Sequence, residues 1–133
     1  MKTLNVVAAI IEKDNKILIA QRLKGEFAGL WEFPGGKIEE GETSEQALIR
    51  EIEEEFDTEL NINKFLTTIE HQYETFYLIM DCFICSIKFG SLVLHDHMAY
   101  RWIYPHDKGI DWVPADVKVI NAYKEYKGMQ HGR

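Results

Sequence analysis

Two short apolar runs rich in β-branched residues open the chain. They cover Val6 to Ile11 and Ile17 to Ala20, and the Asp14-Asn15 pair lies between them. Asn and Asp tolerate the positive φ angles that a tight hairpin turn requires. The pattern therefore predicts an opening β-hairpin with largely buried strands.

A glycine-containing stretch separates this hairpin from the next regular element. Gly25 and Gly29 predict a flexible loop from Lys24 to Leu30, and Trp31 to Phe33 predicts a short strand that ends at Pro34-Gly35-Gly36. After these glycines the spacing of the apolar residues becomes that of a helix.

The helical spacing runs from Thr43 to Phe56. Ala47, Leu48, Ile52 and Phe56 recur at positions that share one face of a helix. Thr43 is followed three positions later by Gln46, which is the pattern of a capping box. We therefore predict an α-helix over Thr43 to Phe56.

The second half of the chain predicts three more strands and a final helix. The strands are expected at Ile62 to Ile69, Phe76 to Lys88 and Tyr100 to Tyr104, with a turn at Phe89-Gly90-Ser91. Pro114 is typical of a first helical position. The residues of this helix that the spacing turns towards the core are Val117, Ile120 and either Tyr123 or Tyr126.

The order of these elements indicates the fold class. Strands and helices follow one another without a long alternation of parallel units, so we expect an α+β arrangement in which helices cover a sheet. With 133 residues, of which 46% are hydrophobic, the chain can bury one core but not two. We predict a single domain over residues 1–133, with a short disordered C-terminal tail that includes His131.

Composition and charge restrict the partners and the compartment. The formal net charge of −7 disfavours duplex DNA or RNA as a partner, because such binding relies on clustered Lys and Arg. No stretch approaches the run of about 20 apolar residues that a membrane-spanning helix needs, so we expect no membrane partner. Two cysteines are too few for a disulfide framework and fit the reducing cytoplasm. The sequence does not distinguish a monomer from a homodimer.

Two other patterns resemble metal sites but favour a simpler interpretation. Cys82 and Cys85 have the C-x-x-C spacing, yet they lie inside a predicted apolar strand and no second pair completes a zinc site. We interpret them as core residues. His95 and His97 would face the same way in an extended segment, but a lone pair near a turn predicts no metal site.

Three carboxylates share one edge of the predicted Thr43 to Phe56 helix. Glu51, Glu54 and Glu55 lie within four positions of one another, beside the core face, so they are neighbours on the helix surface. Like charges at these spacings destabilise a helix, so a positive group should lie among them. Arg50 supplies it in part, and a hard divalent cation fits three carboxylates better. The alternative is a solvated acidic face, which is favoured for an acid-rich helix taken alone.

The residues around this helix resemble the signature of a known enzyme family. The Nudix signature is G-x5-E-x7-R-E-U-x-E-E-x-G-U, where U is a bulky aliphatic residue. Trp31 to Lys37 resembles the MutT-like branch of the Nudix hydrolases, and Val6 to Ile11 with Gln21-Arg22 is similar to its CTP pyrophosphohydrolase-like members. The positions that match the signature are Gly36, Glu42, Arg50, Glu51, Ile52, Glu54 and Glu55.

Two positions depart from the signature. Asp57 stands where glycine is usual, and Thr58 stands in place of an aliphatic residue. The glycine is expected just past a helix, where a left-handed conformation closes the terminus. Aspartate tolerates that conformation better than most residues, although its charge opposes the negative end of the helix dipole. We expect a small loss of stability and intact chemistry, because the carboxylates precede this position.

The resemblance implies a fold and a metal site. The fold is an α/β/α sandwich with a central mixed β-sheet. Glu51, Glu54 and Glu55 match metal ligands of the family, with the backbone carbonyl of Gly36 as a further ligand. The implied metal is Mg²⁺, for which Mn²⁺ can substitute.

The resemblance also implies catalytic and phosphate-binding roles. Arg50 would orient the catalytic carboxylates of Glu51 and Glu54. Asp96 lies where the family often places a general base or a further metal ligand, and the alternative is an ordinary polar loop residue. Arg22 and Lys37 can pair with phosphates, or can be solvated surface charges.

Base recognition in this branch can involve the residue that matches Asp116. A carboxylate accepts hydrogen bonds, so Asp116 would suit an amino-bearing edge such as cytosine N4 and argues against uracil and thymine. The alternative is an acid that only stabilises the first turn of a helix. Phe33, Tyr73 and Phe27 can stack on a base, or can belong to ordinary packing.

Together these interpretations predict a Mg²⁺-dependent nucleoside triphosphate pyrophosphohydrolase, with a small-molecule nucleotide as its partner. By similarity to MutT-like enzymes, water would attack the inner phosphoryl group and release a nucleoside monophosphate and pyrophosphate. We favour (d)CTP or modified cytosine nucleotides, with 8-oxo-dGTP close behind. ADP-ribose and dinucleoside polyphosphates stay alternatives, because the signature identifies a diphosphate bond rather than the attached group. A sensor that binds nucleotides without hydrolysis is the other alternative, and the intact acidic pairs argue against it.

Overall fold

The computed structural model of the protein describes residues 1–128, so His131 and the predicted tail lie outside the described part. Within that part, seven β-strands form one sheet and two α-helices accompany it. The elements in chain order are β1 (Lys2–Lys13), β2 (Lys16–Arg22), β3 (Trp31–Glu32), β4 (Gly35–Lys37), α1 (Ser44–Phe56), β5 (Thr58–Gln72), β6 (Phe76–Gly90), β7 (His97–Ile103) and α2 (Pro114–Lys127).

The opening hairpin is confirmed. β1 and β2 pair antiparallel, with Lys13 opposite Lys16. The intervening Asp14 and Asn15 have φ angles of 52° and 65°, in the region that a tight hairpin turn requires. The predicted turn chemistry therefore sets the register of the first two strands.

The sheet is mixed, as the resemblance implied. β1 runs parallel to β6 along most of its length and antiparallel to β4 and β2 on its other side. β5 and β6 form a long antiparallel pair with three register shifts, and β7 pairs antiparallel with β2. β1 thus lies at the centre of the sheet.

β4 was not predicted, because Gly35-Gly36 was expected only to end the preceding strand. These glycines pair instead with β1, with Val7 opposite Gly36. A Cβ atom on Gly35 would lie 1.9 Å from the carbonyl oxygen of Val7. Only glycine lets the backbone approach this closely, so the two glycines form a strand through contact with a partner rather than through their own propensity.

The predicted turn at Phe89-Gly90-Ser91 is also corrected. Phe89 and Gly90 belong to β6, because they pair with Glu59 and Thr58 at the start of β5. Gly90 has a φ of 116°, and the strand ends there.

The two helices pack on opposite faces of the sheet, which confirms the α/β/α sandwich. Successive residues of β1 alternate between the two cores, as side chains along a strand must. One core joins α1 to the sheet through Ala47, Leu48, Ile52, Phe56, Val7, Ala9 and Ile11. The other joins α2 to the opposite face through Ala115, Val119, Ile120, Tyr123, Ala8 and Ile10.

α1 has the ends that its sequence predicts. The backbone N–H of Gln46 donates to Thr43 Oγ1 at 3.1 Å, and the backbone N–H of Thr43 donates to Gln46 Oε1 at 2.9 Å. This is the reciprocal capping box. Asp57 closes the helix in the left-handed region, with φ 52° and ψ 38°, so it adopts the conformation that the usual glycine would have.

The inward face of α2 differs from the prediction. Val117 and Tyr126 are 41% and 47% exposed, whereas Ile120 and Tyr123 are buried as expected. The helix buries its first turn as well, through Ala115 and Asp116, so the inward face is rotated by one residue, about 100°, from the predicted one at the start of the helix. Across residues 1–128, neither helix is long and apolar enough to span a membrane.

Candidate active site

Arg50 is the centre of an ionic network on the outer edge of α1. Its Nε donates to Glu42 Oε2 at 2.6 Å, and its Nη1 donates to Glu51 Oε1 at 2.8 Å and to Glu54 Oε1 at 3.0 Å. Its Nη2 donates to the backbone carbonyl of Lys37 at 2.9 Å. Arg50 therefore ties the end of β4 and the loop before α1 to two of the predicted catalytic carboxylates.

Glu42 and Arg50 are both held in their charged forms. The hydrogen bond from Arg50, followed by one from the backbone N–H of Glu39, lowers the pKa of Glu42 to about 2. The same contact with Glu42 raises the pKa of Arg50. Because both groups stay ionised over the whole physiological range, this pair fixes the loop before α1 independently of pH.

Gly36 lies directly against the carboxylate of Glu51. A Cβ atom on Gly36 would lie 2.1 Å from Glu51 Oε2. Burial raises the pKa of Glu51, and the Arg50 hydrogen bond opposes this shift. The missing side chain of Gly36 is therefore what allows a half-buried carboxylate to lie beside the β4 backbone.

Glu55 is the least compensated acid of the edge. Its Oε2 is buried and has no hydrogen-bond partner among residues 1–128. Burial, with further contributions from the charges of Glu51, Glu32 and Asp96, raises the pKa of Glu55 to about 8. A buried acid surrounded by like charges indicates a position where a cation is the missing partner.

The residues present fit a divalent cation. Hard cations prefer carboxylate and carbonyl oxygens, and the unpartnered Glu55 oxygen lies near Glu51, which itself touches the Gly36 backbone. In the described part of the chain, no three acidic, histidine or cysteine side chains form a preformed metal cluster. Arg50 lies between Glu51 and Glu54, so a shared cation requires a rotamer change at this edge. The proposed ligand set stays a prediction.

A cleft of about 510 Å³ opens beside this edge, between the loop after β2, the β3–β4 segment and the start of α2. Glu51 does not line the cleft itself but lies against Gly36, which does, whereas Arg50 and Glu54 are outside the lining. The predicted site residues that line the cleft are Arg22, Phe33, Gly36, Lys37, Glu55, Tyr73, Asp96 and Asp116. The structure thus brings residues from six separate segments to one cavity.

Asp116 is buried in the cleft wall at the first turn of α2. Its Oδ2 accepts a hydrogen bond from the backbone N–H of Phe33 at 2.8 Å, and no hydrogen bond involves Oδ1 within residues 1–128. Burial, together with the charge of Glu32, raises the pKa of Asp116 well above its usual value. The carboxyl group is therefore anchored through one oxygen and leaves the other available.

Tyr73 and Phe33 line the cleft but are also packed against protein. The Tyr73 ring lies 5.1 Å from Phe27 and 4.8 Å from Phe76, measured between ring centroids. Its hydroxyl oxygen accepts a hydrogen bond from the backbone N–H of Ala115 at 3.0 Å, which supplies a partner for the start of α2. The Phe33 ring stacks on another aromatic ring, that of Trp112. Stacking on a nucleobase by these residues stays a prediction.

Asp96 lies in the loop before β7 and lines the cleft. Its charge is one of those that raise the pKa of Glu55, so the two carboxyl groups lie in the same electrostatic neighbourhood. A residue in this position can act as a general base or as a further metal ligand, so both predicted roles of Asp96 stay open.

Within residues 1–128, three polar residues of the cleft were not predicted as site residues, namely Lys24, Glu32 and His97. Two of them, Glu32 and His97, contact each other. Arg22 Nη1 donates to Glu32 Oε1 at 2.9 Å, and His97 Nε2 lies 2.9 Å from Glu32 Oε2. Glu32 lies in a two-residue strand, and its contact with His97 spans 65 positions of the chain. A periodicity cannot reveal such a pair, although the acid within Trp31 to Phe33 was the one polar residue of an otherwise aromatic strand.

Comparison with known proteins agrees with this geometry. Residues 6–122 match the family profile described as NUDIX domain. The chain is 37% identical over 125 residues to the CTP pyrophosphohydrolase of Escherichia coli (strain K12), which covers 92% of this chain and 93% of that protein. It is 41% identical over 87 residues to the 8-oxo-dGTP diphosphatase of Proteus vulgaris, which covers 64% and 78% of the two chains.

The fold is similar to solved structures as well. The solution structure of the E. coli ORF135 protein superimposes with a TM-score of 0.83 at 34% identity, and the match covers 100% of this chain and 96% of that one. A family match over most of the chain, with Gly36 and Glu55 of the signature lining one cleft, leads to one conclusion. The protein belongs to the Nudix hydrolase family, in its MutT-like branch.

Proposed function

We propose that the protein is a Mg²⁺-dependent nucleoside triphosphate pyrophosphohydrolase that releases a nucleoside monophosphate and pyrophosphate. The preferred substrates are (d)CTP or modified and oxidised nucleotides such as 8-oxo-dGTP. One observation carries the proposal: a single cleft joins the undercompensated acid of α1, Glu55, to a buried carboxyl group, Asp116, that has a free oxygen. Glu55 would lie beside a metal-bound phosphate chain, and Asp116 would meet the base.

Glu51, Glu54, Glu55 and the Gly36 carbonyl would hold the metal. When bound, Mg²⁺ or Mn²⁺ neutralises phosphoryl charge and lowers the pKa of a coordinated water. Arg50 holds Glu51 and Glu54 from the outer side of the helix, so it orients carboxylates without entering the cleft.

Among residues 1–128, three cationic side chains line the cleft, Arg22, Lys24 and Lys37, and two of them are the predicted phosphate-binding residues. Arg22 and Lys37 both line the cleft, and cationic donors at this distance from an acidic edge offset the charge that a polyphosphate brings. Asp96 would accept a proton from the attacking water, because it lines the same cavity and is not consumed by an ion pair within residues 1–128.

Asp116 would read the Watson–Crick edge of the base. Its Oδ2 is already held by the backbone N–H of Phe33, so Oδ1 would be the oxygen that meets the base. An ionised Oδ1 accepts from an exocyclic amino group, and a neutral one donates to a ring nitrogen or carbonyl. Cytosine N4 and N3 provide both partners. The relative that spans 92% of this chain is a CTP pyrophosphohydrolase, which supports the same choice.

We place the enzyme in the cytoplasm. Cys82 and Cys85 are both free and buried in the core, and burial raises the pKa of each thiol. Such thiols are structural residues that a reducing compartment preserves.

A substrate panel tests the proposal. The purified protein is assayed with magnesium against CTP, dCTP, 5-methyl-dCTP, 8-oxo-dGTP, UTP, dTTP and ADP-ribose, and the products are identified. We expect monophosphate and pyrophosphate from the cytosine or oxidised nucleotides. Asp116→Asn should change the ranking of bases more than the rate with the best one, whereas the exposed Asp111→Asn should change neither.

Three outcomes would contradict the proposal. Hydrolysis of ADP-ribose alone would indicate the other diphosphate-linked class. Tight nucleotide binding without turnover would indicate a sensor. A strong preference for UTP would contradict the proposed choice of cytosine, because uracil has no exocyclic amino group to donate to an ionised Asp116.

A further inference from the structure

We infer that Glu32 is a positioning residue that fixes the direction of the Arg22 guanidinium in the cleft, and that His97 anchors Glu32. The inference rests on the proposed function, because it concerns how Arg22 meets the phosphates. It assigns a role to two cleft residues that the metal site and the base site do not use.

Glu32 contacts its two partners through different oxygens. Oε1 accepts from Arg22 Nη1 and Oε2 lies against His97 Nε2, both at 2.9 Å. A carboxylate oxygen only accepts hydrogen bonds, so His97 donates from Nε2. Because both oxygens form hydrogen bonds, the Glu32 side chain is held in one orientation. Its hydrogen bond with Arg22 in turn restrains the direction of the guanidinium.

His97 is itself immobilised. Its side chain is 5% exposed, and its ring stacks on Phe56 with a centroid distance of 5.3 Å and an interplanar angle of 16°. Phe56 is the last residue of α1, the helix that carries the acidic edge. A chain of contacts therefore runs from Phe56 through His97 and Glu32 to Arg22. It connects Arg22, the proposed phosphate-binding residue, to the helix that holds the proposed metal ligands.

The backbone also directs Arg22 into the cleft. β2 and β7 pair antiparallel, and their register shifts between Gln21 and Arg22, where Arg22 lies opposite His97. Such a shift bends the strand and redirects the side chain that follows it. Arg22 and His97 thus approach Glu32 from two neighbouring strands while Glu32 itself lies on β3.

The negative charge of Glu32 is unfavourable in a cleft that binds phosphates, so its presence needs a compensating gain. A polyphosphate cleft gains nothing from an additional negative charge, and the Glu32 carboxylate contributes to the raised pKa of both Glu55 and Asp116. An acid in this place weakens the attraction for phosphates. The compensating gain is geometric, because a free guanidinium on a flexible side chain loses more entropy when it meets a phosphate than one already held in place.

Replacement of Glu32 separates the orientation of the Arg22 guanidinium from its electrostatic attraction for the phosphates. In Glu32→Gln the guanidinium keeps its charge but loses its charged partner, so we expect kcat to fall about tenfold, the effect of one charge-assisted hydrogen bond, while KM does not rise. Arg22→Ala should lower kcat by at least the same factor and should also raise KM. Glu32→Gln introduced into the Arg22→Ala protein should cause no further loss of kcat, because the group that Glu32 positions is already gone.

Two further variants guard against a merely structural effect. Glu32→Asp keeps the charge but shortens the side chain, so it should lose kcat if position matters and keep it if only charge matters. Glu59→Gln is the matched control, because it breaks the exposed ion pair of Glu59 with Lys88 on β5 and β6, 3.2 Å long, away from the cleft lining. It should behave as wild type. Thermal unfolding of every variant is measured in parallel.

The decisive experiment adds a readout that does not depend on turnover. The rotation of the Arg22 guanidinium is followed by NMR in the wild-type protein, Glu32→Gln and Glu59→Gln. We expect slow rotation in wild type and in Glu59→Gln, and fast rotation in Glu32→Gln. If wild type hydrolyses nucleotides while Glu32→Gln keeps both slow rotation and full kcat, the inference is overturned and the proposed function stands. If wild type hydrolyses no nucleotide, the proposed function is overturned, and fast rotation in wild type would overturn the positioning of Arg22 as well.

Discussion

Glu55→Gln should stabilise the metal-free protein at alkaline pH and have little effect at acidic pH. Glutamine has nearly the same shape as a neutral glutamic acid, so the substitution removes ionisation without creating a cavity. In the folded protein burial and neighbouring charges raise the pKa of Glu55 from 4.5 to about 8. Between these two values the unfolded chain releases the proton and the folded chain keeps it, so the free energy of unfolding falls as the pH rises through this window.

The size of the effect follows from the shift. Each unit of pKa difference corresponds to about 1.4 kcal/mol, so the raised pKa of Glu55 sets an upper limit of about 5 kcal/mol. Glu55 lines an open cleft, where water reduces the penalty of the charged form. We therefore expect Glu55→Gln to exceed wild type by about 1 to 3 kcal/mol at alkaline pH.

Urea denaturation without metal at about pH 5, near the lower end of the window, and at about pH 9, above it, measures this difference. Glu53→Gln is the matched control, because Glu53 lies on the same helix and is exposed; it should show no such pH dependence. Addition of Mg²⁺ at the alkaline pH should stabilise wild type more than Glu55→Gln, because the variant lacks one of the proposed charged ligands. Equal stability of Glu55→Gln and wild type at both pH values would refute the reasoning.

Two other substitutions test the local geometry of the signature. Gly36→Ala would bring a methyl group within 2.1 Å of the Glu51 carboxylate. Metal-dependent turnover should therefore fall at least tenfold in a steady-state assay, while circular dichroism shows a retained fold. Full activity of this variant would show that the contact between Gly36 and Glu51 is not part of the site. Asp57→Gly should raise the free energy of unfolding by about 1 kcal/mol, because glycine adopts the left-handed conformation without strain and the exposed Asp57–His95 pair contributes little; a loss of stability in urea denaturation would show that the ion pair dominates.

Local features were the most predictable from the sequence. The Asp14-Asn15 turn, the Thr43–Gln46 capping box and the left-handed Asp57 each depend on residues a few positions apart. Their chemistry is determined before any tertiary contact forms. The acidic edge of α1 followed from helical spacing for the same reason.

Features that depend on distant contacts were not predictable. β4 exists because Gly35 lies against Val7, and no propensity of its glycines favours a strand. The orientation of α2 was mispredicted at Val117, because helical spacing alone allows neighbouring faces and the burial of Asp116 chooses between them. The Glu32–His97 contact joins strands that lie far apart in the sequence.

The central claim is that the acidic edge of α1 holds a divalent cation. Titration of the folded, purified protein with Mn²⁺, followed by paramagnetic resonance, measures this directly. We predict millimolar or tighter binding by wild type, at least tenfold weaker binding by Glu54→Gln, and unchanged binding by the exposed neighbour Glu53→Gln. Absence of Mn²⁺ binding by wild type at millimolar concentrations, or equal binding by Glu54→Gln, would contradict the account.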